Sequence, residues 1–433
     1  MSTRHWIVAA LACVAGAAHA DDFFRDGTFD GELRLYRFDR NYEAPTTHDS
    51  RANSLAGLFT LKSGHVGGFG VGVTAFSAQS FGTQSRDTTR IDSTLMGPNN
   101  SISGFSQAYV EYANPWVTVR AGDQYLATPW MGQSDSRVIP ASYQAGMVDF
   151  KPAKGWDIYA IRELRWKSRT SDGYNDDNVY YPSKYHGDRM YGNNGSLPLN
   201  AHEADGTTAI GSTYVANGLK AQAWFYDFEH FARMGYVDGM YTFHTDSAIK
   251  PFLGVQALRQ TSGSDNVLVQ TRTKITGVAG HRIDANAWGV DAGVTIGKGK
   301  YDVSYNKLDS AAGAVGDGAI ISPYTNTYAT DPLYTTSMLR GLVEQGPGHA
   351  WKARASYSFF NDTLQLTASY AHYETDLRGA SHDVYVDVVY KLDYILKGLQ
   401  LRDRWERTVG GRNNLNPGNQ PWVNNRLMIA YKF

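Results

Sequence analysis

The chain has a single cysteine among 433 residues, and it is Cys13, inside the leader described below. The remainder therefore has no disulfides and no thiol chemistry. It also lacks a charge excess: 41 Lys and Arg stand against 42 Asp and Glu, for a formal charge of −1. With no basic field, no polybasic run and no RNA-binding motif, a nucleic-acid partner is excluded. Long apolar runs are missing too. Beyond the leader no segment reaches eighteen uncharged apolar residues, and the mean hydropathy is −0.41, which excludes a polytopic helical membrane protein. What is abundant is tyrosine (28) and glycine (44), in a chain too aromatic and too weakly charged to be disordered.

The first twenty residues read as an export signal. Arg4 and His5 precede an apolar stretch from Trp6 to Ala17, and Ala18-His19-Ala20 forms a small-residue cleavage site before Asp21. A spanning anchor needs about twenty apolar residues, more than this run contains. The expected organisation is a cleaved signal over 1–20 and one domain over 21–433.

The dominant signal after the leader is alternation with period two, in stretches of about ten residues. Lys352-Ala353-Arg354-Ala355-Ser356-Tyr357-Ser358-Phe359 is one stretch, and Leu364-Gln365-Leu366-Thr367-Ala368-Ser369-Tyr370 follows a turn at Asn361-Asp362. Eighteen such strands can be counted, from 27–39 to 422–433. Parity alone fits a soluble sandwich equally well. The connections decide: they alternate between tight turns (Asn114-Pro115, Asn217-Gly218, Gly297-Lys298-Gly299) and long polar loops near 40–52, 81–101, 125–142, 168–206, 261–282 and 310–347. Sorting loops by length is the signature of an outer-membrane barrel, with short periplasmic turns and long extracellular loops. Tyr and Trp gather near strand ends, as interfacial girdles would, and an apolar strand ending at Phe433 needs a closed sheet to cover its edge. The fold expected is all-β, a transmembrane antiparallel barrel.

Three stretches carry a family resemblance. They are Leu61-Lys62-Ser63-Gly64 with Gly67-Gly68-Phe69-Gly70-Val71-Gly72; Arg120-Ala121-Gly122-Asp123-Gln124 with Asp135-Ser136-Arg137-Val138-Ile139-Pro140; and Asp331-Pro332-Leu333-Tyr334-Thr335 with Gln345-Gly346-Pro347-Gly348. In this order the chain resembles the OprD family of outer-membrane porins, the outer-membrane carboxylate channels. The resemblance implies a monomeric eighteen-stranded barrel in a Gram-negative outer membrane, with loops 3 and 7 folded inward. It implies passive passage of small solutes, commonly carboxylates, along a basic wall, without cofactor or catalysis. A chitoporin-like branch carrying chito-oligosaccharides is the alternative. Outer-membrane lipid and lipopolysaccharide are the expected surroundings.

Parity names the residues that would meet a solute. Outward Leu33 and Leu35 turn Arg34 inward, and Arg40 as well if no bulge intervenes. Outward Val117 and Val119 turn Arg120 inward. The same reasoning turns Lys352 and Arg354, then Arg402, Arg404 and Glu406, then Arg426 and Lys432, into the lumen. A charge facing mid-membrane lipid costs about 2–4 kcal/mol, which favours these placements. Asp403 breaks the pattern and calls for a bulge or an interfacial position. Arginines suit carboxylates because the guanidinium offers two parallel N–H groups, but a lattice of wall ion pairs would use the same residues. Following the resemblance, Arg137 beside Asp135 sits at the constriction in loop 3, with Asp331 on loop 7 facing it, an arrangement suited to zwitterions.

Other constellations are weak. Asp172, Asp176 and Asp177 do not match a calcium loop, and the twelve histidines show no metal-site pair, so no metal is expected. No nucleophile motif marks a serine, which leaves an outer-membrane lipid hydrolase as the rival from another class. An energised receptor would need a plug domain ahead of the first strand, and a soluble β-rich binding protein would lack the sorted loops.

Overall fold

A computed structural model describes residues 24–97, 100–134, 136–175, 206–263, 274–275, 278–324, 330–411 and 419–433. Eighteen strands form one sheet. In chain order they are β1 (Thr28–Tyr42), β2 (Ser50–Lys62), β3 (Phe69–Gln79), β4 (Ser101–Ala113), β5 (Val117–Gln124), β6 (Ser142–Ala153), β7 (Trp156–Lys167), β8 (Thr207–Ala216), β9 (Leu219–Phe228), β10 (Ala232–Thr242) and β11 (Ile249–Ser262). A separate two-stranded ribbon, β12 (Lys274–Ile275) and β13 (Val278–Ala279), interrupts the series. The barrel resumes with β14 (Asp284–Ile296), β15 (Gly299–Leu308), β16 (Gly348–Phe359), β17 (Leu364–Thr375), β18 (Gly379–Lys391), β19 (Leu399–Gly410) and β20 (Trp422–Lys432). Each barrel strand is antiparallel to its neighbours, and β1 pairs with β20 to close the ring, Leu35 opposite Ile429. Closure leaves no edge for another chain to extend. Among the described residues no helix is long and apolar enough to cross a membrane; the crossing is made by strands.

The count of eighteen agrees with the periodicity, and the boundaries differ mostly by a few residues. β1, for example, runs on to Tyr42, past the expected end at 39. The short connections are the turns that their residues prescribe. Asn217 and Gly218 both take positive φ, 50° and 82°, as a two-residue hairpin requires. Asn114 Oδ1 accepts from the backbone N–H of Trp116 (2.8 Å) and Val117 (2.9 Å), closing the β4–β5 turn.

Alternation sorts the two faces. On β1, Leu33 and Leu35 are exposed while Arg34, Tyr36 and Phe38 are buried. Leu253 and Val255 on β11, and Val303 on β15, are exposed likewise, a band of apolar side chains facing lipid. β19 keeps an unbroken register through Asp403, opposite Leu427, so no bulge re-aims it. Asp403 faces outward and accepts from Asn425 Nδ2 at 2.6 Å.

The lumen is not an open tube. Leu126, Trp130 and Met131 of the β5–β6 loop and Ile320, Ile321, Tyr324, Leu333 and Leu342 of the β15–β16 loop are buried in one apolar cluster. They lie there with inward residues of β6–β11, such as Tyr143, Trp224, Tyr226 and Tyr236. A second cluster joins Val138 and Ile139 of the β5–β6 loop, and Ile91, Leu95 and Met96 of the β3–β4 loop, to Tyr36, Phe38 and Phe76. The β5–β6 and β15–β16 connections are extracellular loops 3 and 7, and both fold inward as expected. They meet where Thr330 Oγ1 donates to the Pro129 carbonyl at 2.7 Å.

Candidate functional site

The two inward loops and the wall of β19, β20 and β1 enclose a cavity of about 690 Å³. Five arginines line it: Arg40 from β1, Arg137 from loop 3, Arg169 from the β7–β8 loop, Arg404 from β19 and Arg426 from β20. Asp331 of loop 7 lines it as well, with Thr128, Ser134, Ser136 and the segment Thr336 to Leu339.

The strands fix the basic wall. Arg404 and Arg426 sit directly opposite each other across β19 and β20, a like-charge pairing that a sheet ordinarily avoids. Arg404 Nε donates to the Tyr385 hydroxyl (2.9 Å), and Arg426 stacks over the Phe38 ring (4.6 Å). Arg40 Nε donates to Asn424 Oδ1 (2.9 Å), lies over the Trp422 ring (5.3 Å) and approaches Asp92 (3.8 Å). Burial works to raise the Asp92 carboxyl, but the Arg40 guanidinium and the Thr94 hydrogen bonds hold it below its ordinary value. Arg169 Nη1 reaches Ser134 Oγ (3.0 Å) and Ser136 Oγ (3.1 Å), tying the β7–β8 loop to loop 3.

Loops 3 and 7 are held by charged side chains buried in the wall. Arg34, only 2% exposed, donates Nη1 to the carbonyls of Arg137 (3.3 Å) and Val138 (3.2 Å), and pairs with Glu32 (2.8 Å). Glu406 accepts from Ser337 Oγ (2.7 Å), Met338 N (2.9 Å) and Leu339 N (3.3 Å). Lys352 Nζ donates to the Thr336 carbonyl at 2.7 Å. Asp331 Oδ1 accepts the Leu333 N–H (3.0 Å). Burial pushes its carboxyl up to about 6, against the lowering effect of the Leu333 and Thr336 hydrogen bonds and of Lys352.

The remaining inward arginines have carboxylates beside them. Arg120 bonds Glu111 through Nε (2.9 Å) and Nη2 and covers the Tyr109 ring at 4.2 Å. Arg354 reaches Asp302 at 3.0 Å, and Arg402 grips Asp387 with two bonds, 2.9 and 2.6 Å. The residues expected from parity therefore fall into three groups. Arg40 and Arg404 join Arg137 and Asp331 at the cavity; Arg34 and Lys352 hold loops; Arg120, Arg354 and Arg402 are neutralised on the wall. Asp135, Asp176 and Asp177 lie outside the described residues. Arg426 was legible as an inward residue, but its place at the cavity was not. Arg169 carried no signal, because an irregular loop has no parity. Among the described residues no group of three or more His, Cys, Asp or Glu side chains is placed to hold a metal ion.

Chemically this is a confined, partly desolvated space that, among the described residues, brings together five guanidiniums and one carboxylate of raised proton affinity. Such groups can exchange the hydration of a small anion for direct bonds.

A sequence-family model described as Gram-negative porin matches residues 8–396. No curated protein matches the sequence. Among solved structures the chain is similar to OccAB3 of Acinetobacter baumannii (TM-score 0.75, 16% identity, covering 95% of this chain and 100% of that one). It is also similar to OccK9 (OpdG) of Pseudomonas aeruginosa (TM-score 0.73, 17% identity, 95% and 99%). A third likeness is to OpdK of Pseudomonas aeruginosa, solved with vanillate (TM-score 0.70, 16% identity, 95% and 99%). At these identities the likeness is one of fold, and it extends the sequence resemblance to the whole barrel.

Proposed function

The chain belongs to the Gram-negative porin family and is a channel of the Gram-negative outer membrane; on that premise we propose that it passes small carboxylates or amino acids by passive diffusion through the arginine-lined cavity. The observation that carries this reading is the set of five guanidiniums around one constriction, two of them forced side by side across β19 and β20. The carboxylate across β18 from Arg404 is Asp387, which Arg402 already grips with two bonds, so these two guanidiniums share one acid, whereas Arg354 has Asp302 beside it. Arg40, Arg137, Arg169, Arg404 and Arg426 are the solute contacts in this account, while Arg120, Arg354 and Arg402 belong to the wall lattice. Asp331, facing the basic side, gives the ammonium group of an amino acid a partner. Vanillate, the compound solved with OpdK, is a carboxylate, a class that five guanidiniums suit.

The aromatic residues weigh against a sugar channel. Sugar stacking needs ring faces open to the lumen, whereas Trp130, Tyr226, Tyr236 and Phe228 are buried in the apolar cluster, and Trp422, which lines the cavity, has Arg40 (5.3 Å) and Arg340 (5.5 Å) over its ring. The match to a Gram-negative porin family supports reading the chain as a channel rather than a lipid hydrolase.

Single-channel current in a planar bilayer tests the reading, with benzoate, arginine and a chito-oligosaccharide as added solutes. Block by benzoate and arginine that weakens in Arg137→Ala supports it. Block by the neutral sugar alone, unaffected by the substitution, overturns the carboxylate assignment in favour of the chitoporin-like one.

A further inference from the structure

The outer wall carries charge where the lipid band should end, and at two places the charge is organised in the same way. On β1 and β2, Asp39 sits between Arg37 (Nε to Oδ2, 2.8 Å) and Arg51. On the far side of the barrel, Asp284 at the head of β14 sits between Arg259 of β11 and Arg282 (Nε to Oδ2, 2.9 Å). Both sets project outward. Arg37 alternates with the exposed Leu33 and Leu35, and Arg259 with the exposed Leu253 and Val255. In each the carboxylate is largely covered, 14% exposed for Asp39 and 20% for Asp284, while the four arginines expose 47% to 57% of their side chains. Each set has two cations for one anion, a local charge of +1. Elsewhere on this rim, among the described residues, Arg233 pairs with Asp227 and Arg407 with Glu43, one cation to one anion.

Height along the wall says what such a charge would meet. Strands rise about 3.3 Å per residue and tilt about 40°, so eight residues climb about 20 Å and ten about 25 Å, close to the height of the apolar band. Counting outward positions from the periplasmic end, Arg37 is eight residues above Phe29, and Arg259 is ten above Ile249. Both strands lead upward into extracellular loops. The guanidiniums thus stand at the outer edge of the band, at the level of the outer-leaflet headgroups, and not in hydrocarbon.

Pairing with the carboxylate does not exhaust them. A guanidinium has five N–H groups; Arg37 uses Nε and Nη2 on Asp39, and Arg51 uses Nε. The central carboxylate holds two guanidiniums side by side, which removes much of the rotamer freedom that two long side chains would otherwise lose on binding an anion. Two adjacent forks of this kind match the oxygens of a phosphate monoester.

We propose that the two Arg–carboxylate–Arg sets are docking sites for the phosphate groups of an outer-leaflet glycolipid, the lipid A part of lipopolysaccharide, one phosphate per set.

The test uses the whole barrel in detergent, with lipid binding followed by native mass spectrometry. The ligands are diphosphorylated lipid A and the same lipid with both phosphates removed, with inorganic phosphate as competitor. The variants are Arg37→Gln/Arg51→Gln and Arg259→Gln/Arg282→Gln, with Arg233→Gln as a one-to-one control, each checked for heat-modifiable gel mobility. The expected result is a loss of at least about tenfold in lipid A affinity for each double variant, a smaller change for the control, and wild-type binding of the dephosphorylated lipid as weak as that of the variants. Equal binding of the two lipids by the wild type overturns the proposal without need of any variant. So does unchanged affinity in both double variants, or inorganic phosphate binding as tightly as the lipid, which would indicate a solution-anion site. A dimer abolished by either double variant would assign that face to a second copy of the chain and overturn the proposal as well.

Discussion

The inner face of β7 to β10 and the inner face of β19, β20 and β1 lie on opposite sides of the eighteen-strand ring, and they are built from opposite materials. The first is aromatic. Tyr226 is stacked between Trp224 (5.9 Å) and Phe228 (5.7 Å), and its hydroxyl meets the backbone N–H of Trp130 at 3.5 Å. The second presents Arg40, Arg404 and Arg426 to the cavity. Burial of apolar surface can seat a loop firmly, whereas a guanidinium placed on the lumen keeps water or a solute beside it. The inward loops are therefore packed on one side and leave a charged passage on the other. The asymmetry lets one barrel be rigid and permeable at the same level.

The aromatic side should break most severely. Tyr226→Ala removes the ring beneath Trp130, and truncations of this kind cost about 3–5 kcal/mol. The expected outcome is a lower temperature for the gel-mobility transition and a larger single-channel conductance as loop 3 loosens. Glu406→Ala comes next. It deletes an acceptor of three bonds from loop 7, on the order of 3 kcal/mol for a charged acceptor, and benzoate block should weaken although no cavity arginine has changed.

A smaller effect sharpens the electrostatic side. Asp331 titrates near 6, so it is ionised at pH 7.5 and neutral at pH 5. Anion preference, read from reversal potentials, should rise as the pH falls across that window. Asp331→Asn should hold the higher preference at both values. Because the folded value is raised, the group's contribution to stability is present at low pH and is lost as the pH rises through about 6. Smallest of all should be Arg120→Gln. Its guanidinium is already neutralised by Glu111, and we expect a change of less than about twofold in benzoate block, in line with the modest worth of screened pairs.

The sequence was most informative where one physical constraint acts on every second residue. A strand with lipid on one side and a polar lumen on the other must alternate, so Arg34, Arg402 and Arg426 could be turned inward from Leu33, Leu401 and Leu427 alone. Asn217-Gly218 likewise prescribes its own turn. Partnership was not legible, because it depends on register between strands. Asp302 neutralises Arg354 from 52 residues away, while Arg404 lies between Arg426 on β20 and Asp387 on β18, a carboxylate that Arg402 already holds with two bonds. Parity treats these arginines alike, and only the pairing separates a wall lattice from a cavity lining. Arg169 was invisible for a different reason: it belongs to a loop whose position is set by what it packs against. Asp403, which parity flagged as an exception, stays outward in regular register and finds Asn425.

The most direct test of the basic passage is the reversal potential across a planar bilayer in a KCl gradient, for the original chain and for Arg40→Gln/Arg137→Gln/Arg404→Gln. The account predicts a preference for chloride in the original that is lost in the triple variant while the channel still opens. A preference for potassium in the original, or a chloride preference untouched by the three substitutions, would contradict it.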